Sequence, residues 1–411
     1  MSFTSSAAAP GSLLRNRDYL LVVGAKATSF VGDEAAVIAL TLALAWHGPW
    51  AVAGLMLSGF APMIVMAPLA GLLVDRHDSR HLLVFTGALQ TFTCVVLAFT
   101  TSLPLTFGLI FLLGAGQAVT SATWSALIPG IVGLPNLPKA IGISQAVTNA
   151  AIILAPALGG VLVGLGGVRA ALLLDVATFF ALTVAAQLIA HRRLIEQTAG
   201  PGDDWRAGLR VIRADRTLAL LTGMLFLFVL LGAMVNVVAV FLIRFTLHAG
   251  PVWFGAESAV FGTAMVLGSL FSSRISGQPN LLRGTVASMA MLSVSMLAYA
   301  AAPSILWLVV PAVLGGLGNA LLNATANTVI ALRVPEAVRG RVGSALGGLM
   351  AASMVGAMLL GGVVASVLTP RQVFLLAGLL GLAVPVLVGR SLLRTASVAE
   401  VPADGALVLA G

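Results

Sequence analysis

Apolar runs of about twenty residues or more, long enough to cross a hydrocarbon core of about 30 Å, recur along the chain between short polar or Gly/Pro-rich breaks. In lipid a backbone must satisfy its own hydrogen bonds, so each run is predicted to be a membrane-spanning helix. Twelve are predicted, at 19–45, 51–74, 82–102, 105–128, 140–165, 169–190, 217–244, 252–273, 284–302, 305–331, 342–368 and 372–392. Many breaks carry turn chemistry, as in HGPW at 47–50, PGIVGLPNLP at 129–138 and GQPN at 277–280. The expected fold class is an all-α integral membrane protein with twelve transmembrane helices in two pseudo-symmetric six-helix bundles.

Composition supports this and removes other classes. Of 411 residues, 59% are hydrophobic and 9% charged, against roughly a quarter charged in a soluble protein. One cysteine, Cys94, excludes an internal disulfide and a multi-cysteine metal site. His77 and His81 could share a helix face, but no carboxylate or Cys completes a ligand set, so no metal is expected. The net charge of +8 reflects where the cations sit and does not call for nucleic acid. With the N-terminus cytoplasmic, 18 of the 22 Lys and Arg fall at inner ends and loops; the rest are Lys26, Arg169, Arg244 and Arg371. Both termini are therefore expected inside, in a multi-pass protein of a bacterial cell membrane. The use of Arg over Lys, with abundant Ala, Gly, Val and Leu, hints at a GC-rich bacterial genome.

The expected organisation is a tail at 1–18, a bundle at 19–190, a cytoplasmic linker at 191–216, a second bundle at 217–392 and a tail at 393–411. The opening MSFTSSAAAPGS lacks the basic region of a signal peptide. Within the linker, DDWRAGLRVIR fits a short amphipathic helix on the membrane surface. The halves repeat. LGAGQAVTSATWSAL at 113–127 matches GGLGNALLNATANTV at 315–329, and Gly159-Gly160 falls on Gly361-Gly362, 202 positions later. A duplicated six-helix unit is a transporter signature and places a binding site near mid-membrane between the halves.

Several polar residues fall at that depth. Asp33 lies about 20 Å along a helix that starts near residue 19. An ionisable group there costs at least about 2.5–3.5 kcal/mol and is a functional candidate by default. Asp33 and Glu34 are candidates to bind and release a proton, with Lys26 seven residues earlier on nearly the same face. A structural Lys26–Asp33 network is the alternative. Asp175 and Glu257 are weaker candidates, the first expected to order packing and the second to lie near the outer interface. Asn319, Asn323 and Asn327 recur every four residues, as do the repeat-related Gln117, Ser121 and Ser125, so each set shares one face. Amides are costly in hydrocarbon unless hydrogen-bonded, so these faces should point inward. Asn236, Trp124, Gln145 and Asn149 are further cavity candidates. Hydrogen-bonded glue between helices is the other reading of these positions.

In GLLVDRHDSRH, residues 71–81, Gly71, Asp75, Arg76 and Arg80 resemble the signature loop of the major facilitator superfamily, with Asp78 and Ser79 departing from it. In that family the loop latches the halves together when the cavity faces outward; a plain charged hairpin is the alternative. Gly142, Ala151, Ala155, Pro156, Gly159 and Gly160 resemble the family's antiporter motif, with Ala for Gly twice. VPEAVRGRVGSALGG at 334–348 resembles the enterobactin-exporter and macrolide-efflux-like branch. The fourth segment lacks the Arg of many proton-coupled drug exporters, since LTFGLIFLLGAG at 105–116 has none. The family's first, fourth, seventh and tenth helices line its cavity, in agreement with the amide stripes.

The resemblance implies a secondary transporter, not an enzyme, working as a monomer without a cofactor. It would export a small apolar or amphipathic compound in exchange for protons, at about 2.3 kcal/mol per proton per 100 mV. Its partners would be that substrate, protons and membrane lipid. The absence of G-x-x-x-x-G-K-[ST] argues against an ATP-driven pump. Uptake of a nutrient, lipid or siderophore is the alternative within transport, and a non-transporting receptor of the same fold is a remoter one.

Overall fold

The computed structural model describes residues 13, 16–133, 136–189, 205–272, 275, 277–335 and 338–389. Both tails, apart from Leu13 and residues 16–18, and the first part of the linker lie outside the described residues.

Thirteen helices carry the fold among the described residues: α1 Arg17–Leu44, α2 Pro49–Val65, α3 Ala67–Arg76, α4 Ser79–Phe99, α5 Leu103–Val132, α6 Leu137–Leu188, α7 Trp205–Ala214, α8 Arg216–Phe241, α9 Pro251–Ser272, α10 Gln278–Ala300, α11 Val309–Arg333, α12 Arg339–Val367 and α13 Pro370–Leu387. Polar residues in the breaks start several of them by accepting from otherwise orphaned N–H groups. Asn16 caps α1, accepting from the Tyr19 N–H at 3.2 Å. Asp78 caps α4, accepting from the Arg80 N–H at 2.7 Å. Asp215 caps α8, accepting from Thr217 and Leu218 at 2.7 and 3.1 Å. Thr369 and Gln372 form a reciprocal capping box on α13.

Ten helices are long and apolar enough to cross a membrane, or eleven if the bent pair α2 and α3 forms one span. The bend is 53°. Pro68 has no N–H to continue the ladder of α2. A twelfth crossing is hidden inside α6. A straight helix of its 52 residues would be about 78 Å long, far beyond any bilayer. At Gly167 the backbone leaves the helical region, with φ of 72°. Both limbs then run beside α1. Tyr19 at the start of α1 donates its hydroxyl to the Ala140 carbonyl at 2.8 Å, while neighbouring Val22 and Ala25 pack on Leu182, Ala186 and Ile189. Farther along α1, Ala35 faces Gly159, and Ala36 and Leu40 share a cluster with Leu172 and Phe179. The limbs therefore run antiparallel, and α6 is a hairpin of two crossings. The sequence's separate fifth and sixth segments correspond to these limbs.

The first bundle comprises α1 to α6 and the second α8 to α13. The linker helix α7 does not lie free on a surface. Ile212 is buried with Leu218, Val342 and Ala345, and Gly208 lets α7 sit directly on the Arg341 carbonyl. Two of the cations that fall at the far end tie that end together: Arg244 donates to the Ala249 carbonyl at 2.8 Å and Arg371 to the Ala302 carbonyl at 2.9 Å.

Candidate functional site

The seal between the bundles follows the sequence repeat. A side chain added at Gly159 would come within 2.9 Å of Ala35 in α1, and one at Gly361 within 3.2 Å of the Met234 carbonyl in α8, the repeat-related helix. The next residue of each pair reaches the opposite bundle. A side chain added at Gly160 would come within 3.1 Å of Gly255 and the Pro251 carbonyl of α9, and one at Gly362 within 3.0 Å of Ala53 and Trp50 of α2. Small residues thus let backbones approach at two pseudo-equivalent places. Beside them, Ile38, Leu42, Val52 and Ala53 of the first bundle share one apolar cluster with Val237, Val240, Ile243 and Phe254 of the second. This closes the end remote from the N-terminus. At the N-terminal end the apolar clusters each stay within one bundle.

Below the seal lies a cavity of about 670 Å³. The first bundle contributes Phe30, Glu34, Val37, Ile38 and Thr41 of α1, Met56 and Pro156. The second contributes, among others, Phe228 and Asn236 of α8, Phe254, Glu257 and Phe261 of α9, Tyr299 of α10 and Asn319 and Asn323 of α11. Glu257 accepts a hydrogen bond from the Tyr299 hydroxyl. Asn323 donates to the Asn319 side-chain and backbone oxygens, both at 2.9 Å. The lining has one carboxylate from each bundle and, among the described residues, no Lys, Arg or His.

Asp33 does not line this cavity. Successive helix residues point about 100° apart, and Asp33 turns into the first bundle, where Gln117 donates to it at 3.1 Å. A hydrogen-bonded set extends from there: Gln90 lies 3.5 Å from the Gln117 side-chain oxygen, and the Thr120 hydroxyl 3.4 Å from Gln90 and 3.1 Å from Thr86. Asp175 is buried beside Gly32, accepting from Cys94 at 3.4 Å and Thr178 at 3.2 Å. Lys26 makes no ion pair with Asp33 among the described residues. A separation of seven residues is a rise of about 10.5 Å, too far for contact along one helix. Lys26 instead borders a smaller pocket of about 60 Å³ with Phe30, Gln117, Ser121 and Trp124. The Trp124 Nε1 has no hydrogen-bond partner among the described residues.

The remaining sequence candidates divide. Asn236, Asn319 and Asn323 reach the cavity, and Gln117, Ser121 and Trp124 the adjoining pocket. Ser125 and Asn327 are exposed and line neither. The side chains of Gln145 and Asn149 lie outside the described residues. Ala151 and Ala155 are buried, Pro156 lines the cavity, and Gly142 faces open space. In the 71–81 loop, Gly71 also has open space around it, Asp75 and Arg76 end α3, and the Arg80 guanidinium donates to the Gln187 carbonyl within the first bundle. Asp78, the departure from the family signature, serves as the α4 cap.

Sequence reasoning placed Glu257 near the outer interface. It lines the cavity because the Gly255 contact draws α9 against Pro156, carrying the next turn inward. Tyr299 and the phenylalanines were missed, since apolar helices carry no periodic signal that marks a cavity face. The one available signal was that Glu257 is the lone charge in a long apolar run.

The sequence model of the Major Facilitator Superfamily matches residues 23–287 and 258–408. A macrolide efflux protein A of Streptococcus pyogenes is 26% identical over 60% of this chain and 63% of its own length, so the chain spans less than two thirds of that relative. A macrolide efflux protein A of Enterococcus faecalis is 24% identical over 61% of this chain and 81% of its own. Among solved structures, the nucleoside transporter NupG superposes with a TM-score of 0.75 at 13% identity, covering 92% of this chain and 99% of that one. A bacterial homologue of the iron transporter ferroportin gives 0.72 at 14%, covering 94% and 100%.

Proposed function

The chain belongs to the major facilitator superfamily, and on that premise we propose that it exports a small apolar or amphipathic compound from a bacterial cell in exchange for protons. The observation that carries this is the cavity between the bundles, sealed at one end by repeat-related glycine contacts, with Glu34 on its wall and Asp33 directly behind. The bias of Lys and Arg toward the unsealed end supports a cytoplasmic position for that end. In this arrangement cargo enters from inside, and rocking of the bundles about the cavity exposes it outside. The macrolide efflux relatives support export as the direction.

Proton coupling runs through the first bundle. Asp33, held by Gln117, binds and releases the proton, and Glu34 next to it connects that event to the cavity. Gln117 supplies a neutral hydrogen-bond donor from α5. The loop with Gly71, Asp75, Arg76 and Arg80 engages the second bundle in the opposite, outward-open state.

The test is a susceptibility panel of apolar and amphipathic antibiotics and dyes in an efflux-deficient host. The wild type should raise the tolerated concentration of at least one compound, and Asp33→Asn and Glu34→Gln should return it to the vector level. Full resistance from both variants would remove the carboxylates from the cycle. Greater accumulation of a compound in expressing cells would reverse the direction.

A further inference from the structure

We propose that Glu257 selects cargo by charge, so that the cavity takes an organic cation: a protonated amine carried on an apolar body. This deepens the transport reading above and rests on it.

Glu257 stands on α9 two residues beyond Gly255, whose backbone packs on the Pro156 carbonyl of the opposite bundle. That contact fixes the height at which the carboxylate enters the cavity. The Tyr299 hydroxyl donates to one of its oxygens and holds its orientation. Across the cavity stands Glu34, from the other bundle. No Lys, Arg or His is among the lining residues described, so neither acid meets a protein counter-charge on the cavity wall. A carboxylate withdrawn from bulk water is costly unless a cation or hydrogen bonds offset it. A cargo ammonium supplies that offset, a neutral cargo does not, and an anion adds repulsion.

The rest of the wall suits the remainder of such a molecule. Phe30, Phe228, Phe254, Phe261 and Phe374 line the same cavity as the acids. Aromatic faces attract a cation within about 6 Å and cover the apolar body to which it is attached. Asn236, Asn319 and Asn323 add neutral hydrogen-bonding groups that do not compete for the positive charge. Asp33, turned away toward Gln117, is left for the proton. The two bundles thus divide the work, with proton exchange in the first and recognition of the cargo's charge in the second.

The experiment uses dansylcadaverine, a fluorescent primary amine, and its N-acetyl derivative, which has the same apolar body and no charge. Binding of each to the purified full-length protein in detergent is followed by dansyl fluorescence. The wild type should bind the amine about tenfold or more tightly than the amide. In Glu257→Gln the two should bind within about twofold of each other, and Glu257→Asp, which keeps the charge, should restore the preference. If Glu257→Gln binds neither compound, the wild type and Glu257→Asp decide. Equal affinities in the wild type, no binding of the amine, or a preference that survives in Glu257→Gln would overturn the assignment. The same two compounds offered to proteoliposomes under a pH gradient separate the two ideas. A binding preference without transport removes the transport reading alone, and equal transport without preference removes the Glu257 assignment alone.

Discussion

At the scale of single residues, adjacent acids on one helix have different surroundings. Glu34 faces the cavity, while Asp33 faces Gln117. The sequence marks both as out of place in a hydrocarbon core. It does not say which faces where, because the rotation of α1 is set by its packing on both limbs of α6. Glu257 is legible as a charge in an apolar run, but its place on the cavity wall is not, because that depends on the contact of α9 with the other bundle. Gln117 is the residue whose removal tests the first-bundle arrangement. Gln117→Leu keeps the volume roughly and deletes the donor to Asp33, which is worth about 1.5–3 kcal/mol when the acceptor is charged. Proton-driven transport should fall about tenfold or more with the protein still monodisperse on gel filtration. An unchanged rate would show that Asp33 needs no partner on α5.

At the scale of elements, the apolar runs revealed most of the helices, because a run that long has no other way to satisfy its backbone in lipid. What they left open is where a run bends or doubles back. Pro68 divides the second predicted segment, whereas the reversal at Gly167 falls in the gap between the predicted fifth and sixth segments. The linker helix was visible from its alternating Arg and apolar residues, but its seat on α12 was not, since that depends on the bare backbone at Gly208. Two substitutions probe these element contacts. Gly255→Val places a branched side chain against the Pro156 carbonyl and should cost about 1–3 kcal/mol by overpacking, read as a lower melting temperature together with loss of transport. Asp215→Ala removes the α8 cap and the partner of Arg333 at 3.0 Å. A cap is worth about 0.5–2 kcal/mol, so the melting temperature should drop while binding of cargo is kept. A Gly255→Val protein with full stability and activity would show that α6 and α9 are not in close contact in the membrane.

At the scale of the molecule, the internal repeat was the most informative feature of the sequence. It aligned Gly159-Gly160 with Gly361-Gly362, and the structure uses the pairs alike, one glycine against its own bundle and the next against the other. Pairing of halves is thus legible as pattern, whereas the chemistry of the chamber between them is not, since its wall combines faces of α1, α8, α9, α10 and α11 with single residues of α2, α6, α12 and α13. The seal gives a direct handle on alternating access. A side chain at Gly362 begins 3.0 Å from the Ala53 Cβ, close to the separation of about 3.5–4.5 Å that a disulfide spans. The native Cys94 is buried, so Ala53→Cys with Gly362→Cys should oxidise selectively. Transport should stop on oxidation and return on reduction. Full activity in the oxidised pair would mean that this end never opens.

The central claim, export driven by protons through Asp33, is tested most directly in everted membrane vesicles. Uptake of dansylcadaverine is followed after energisation, with and without a protonophore, in the wild type and in Asp33→Asn. The account expects wild-type uptake that collapses when the protonophore is added, and no energised uptake in Asp33→Asn. Wild-type uptake indifferent to the protonophore, or a full rate in Asp33→Asn, would contradict it.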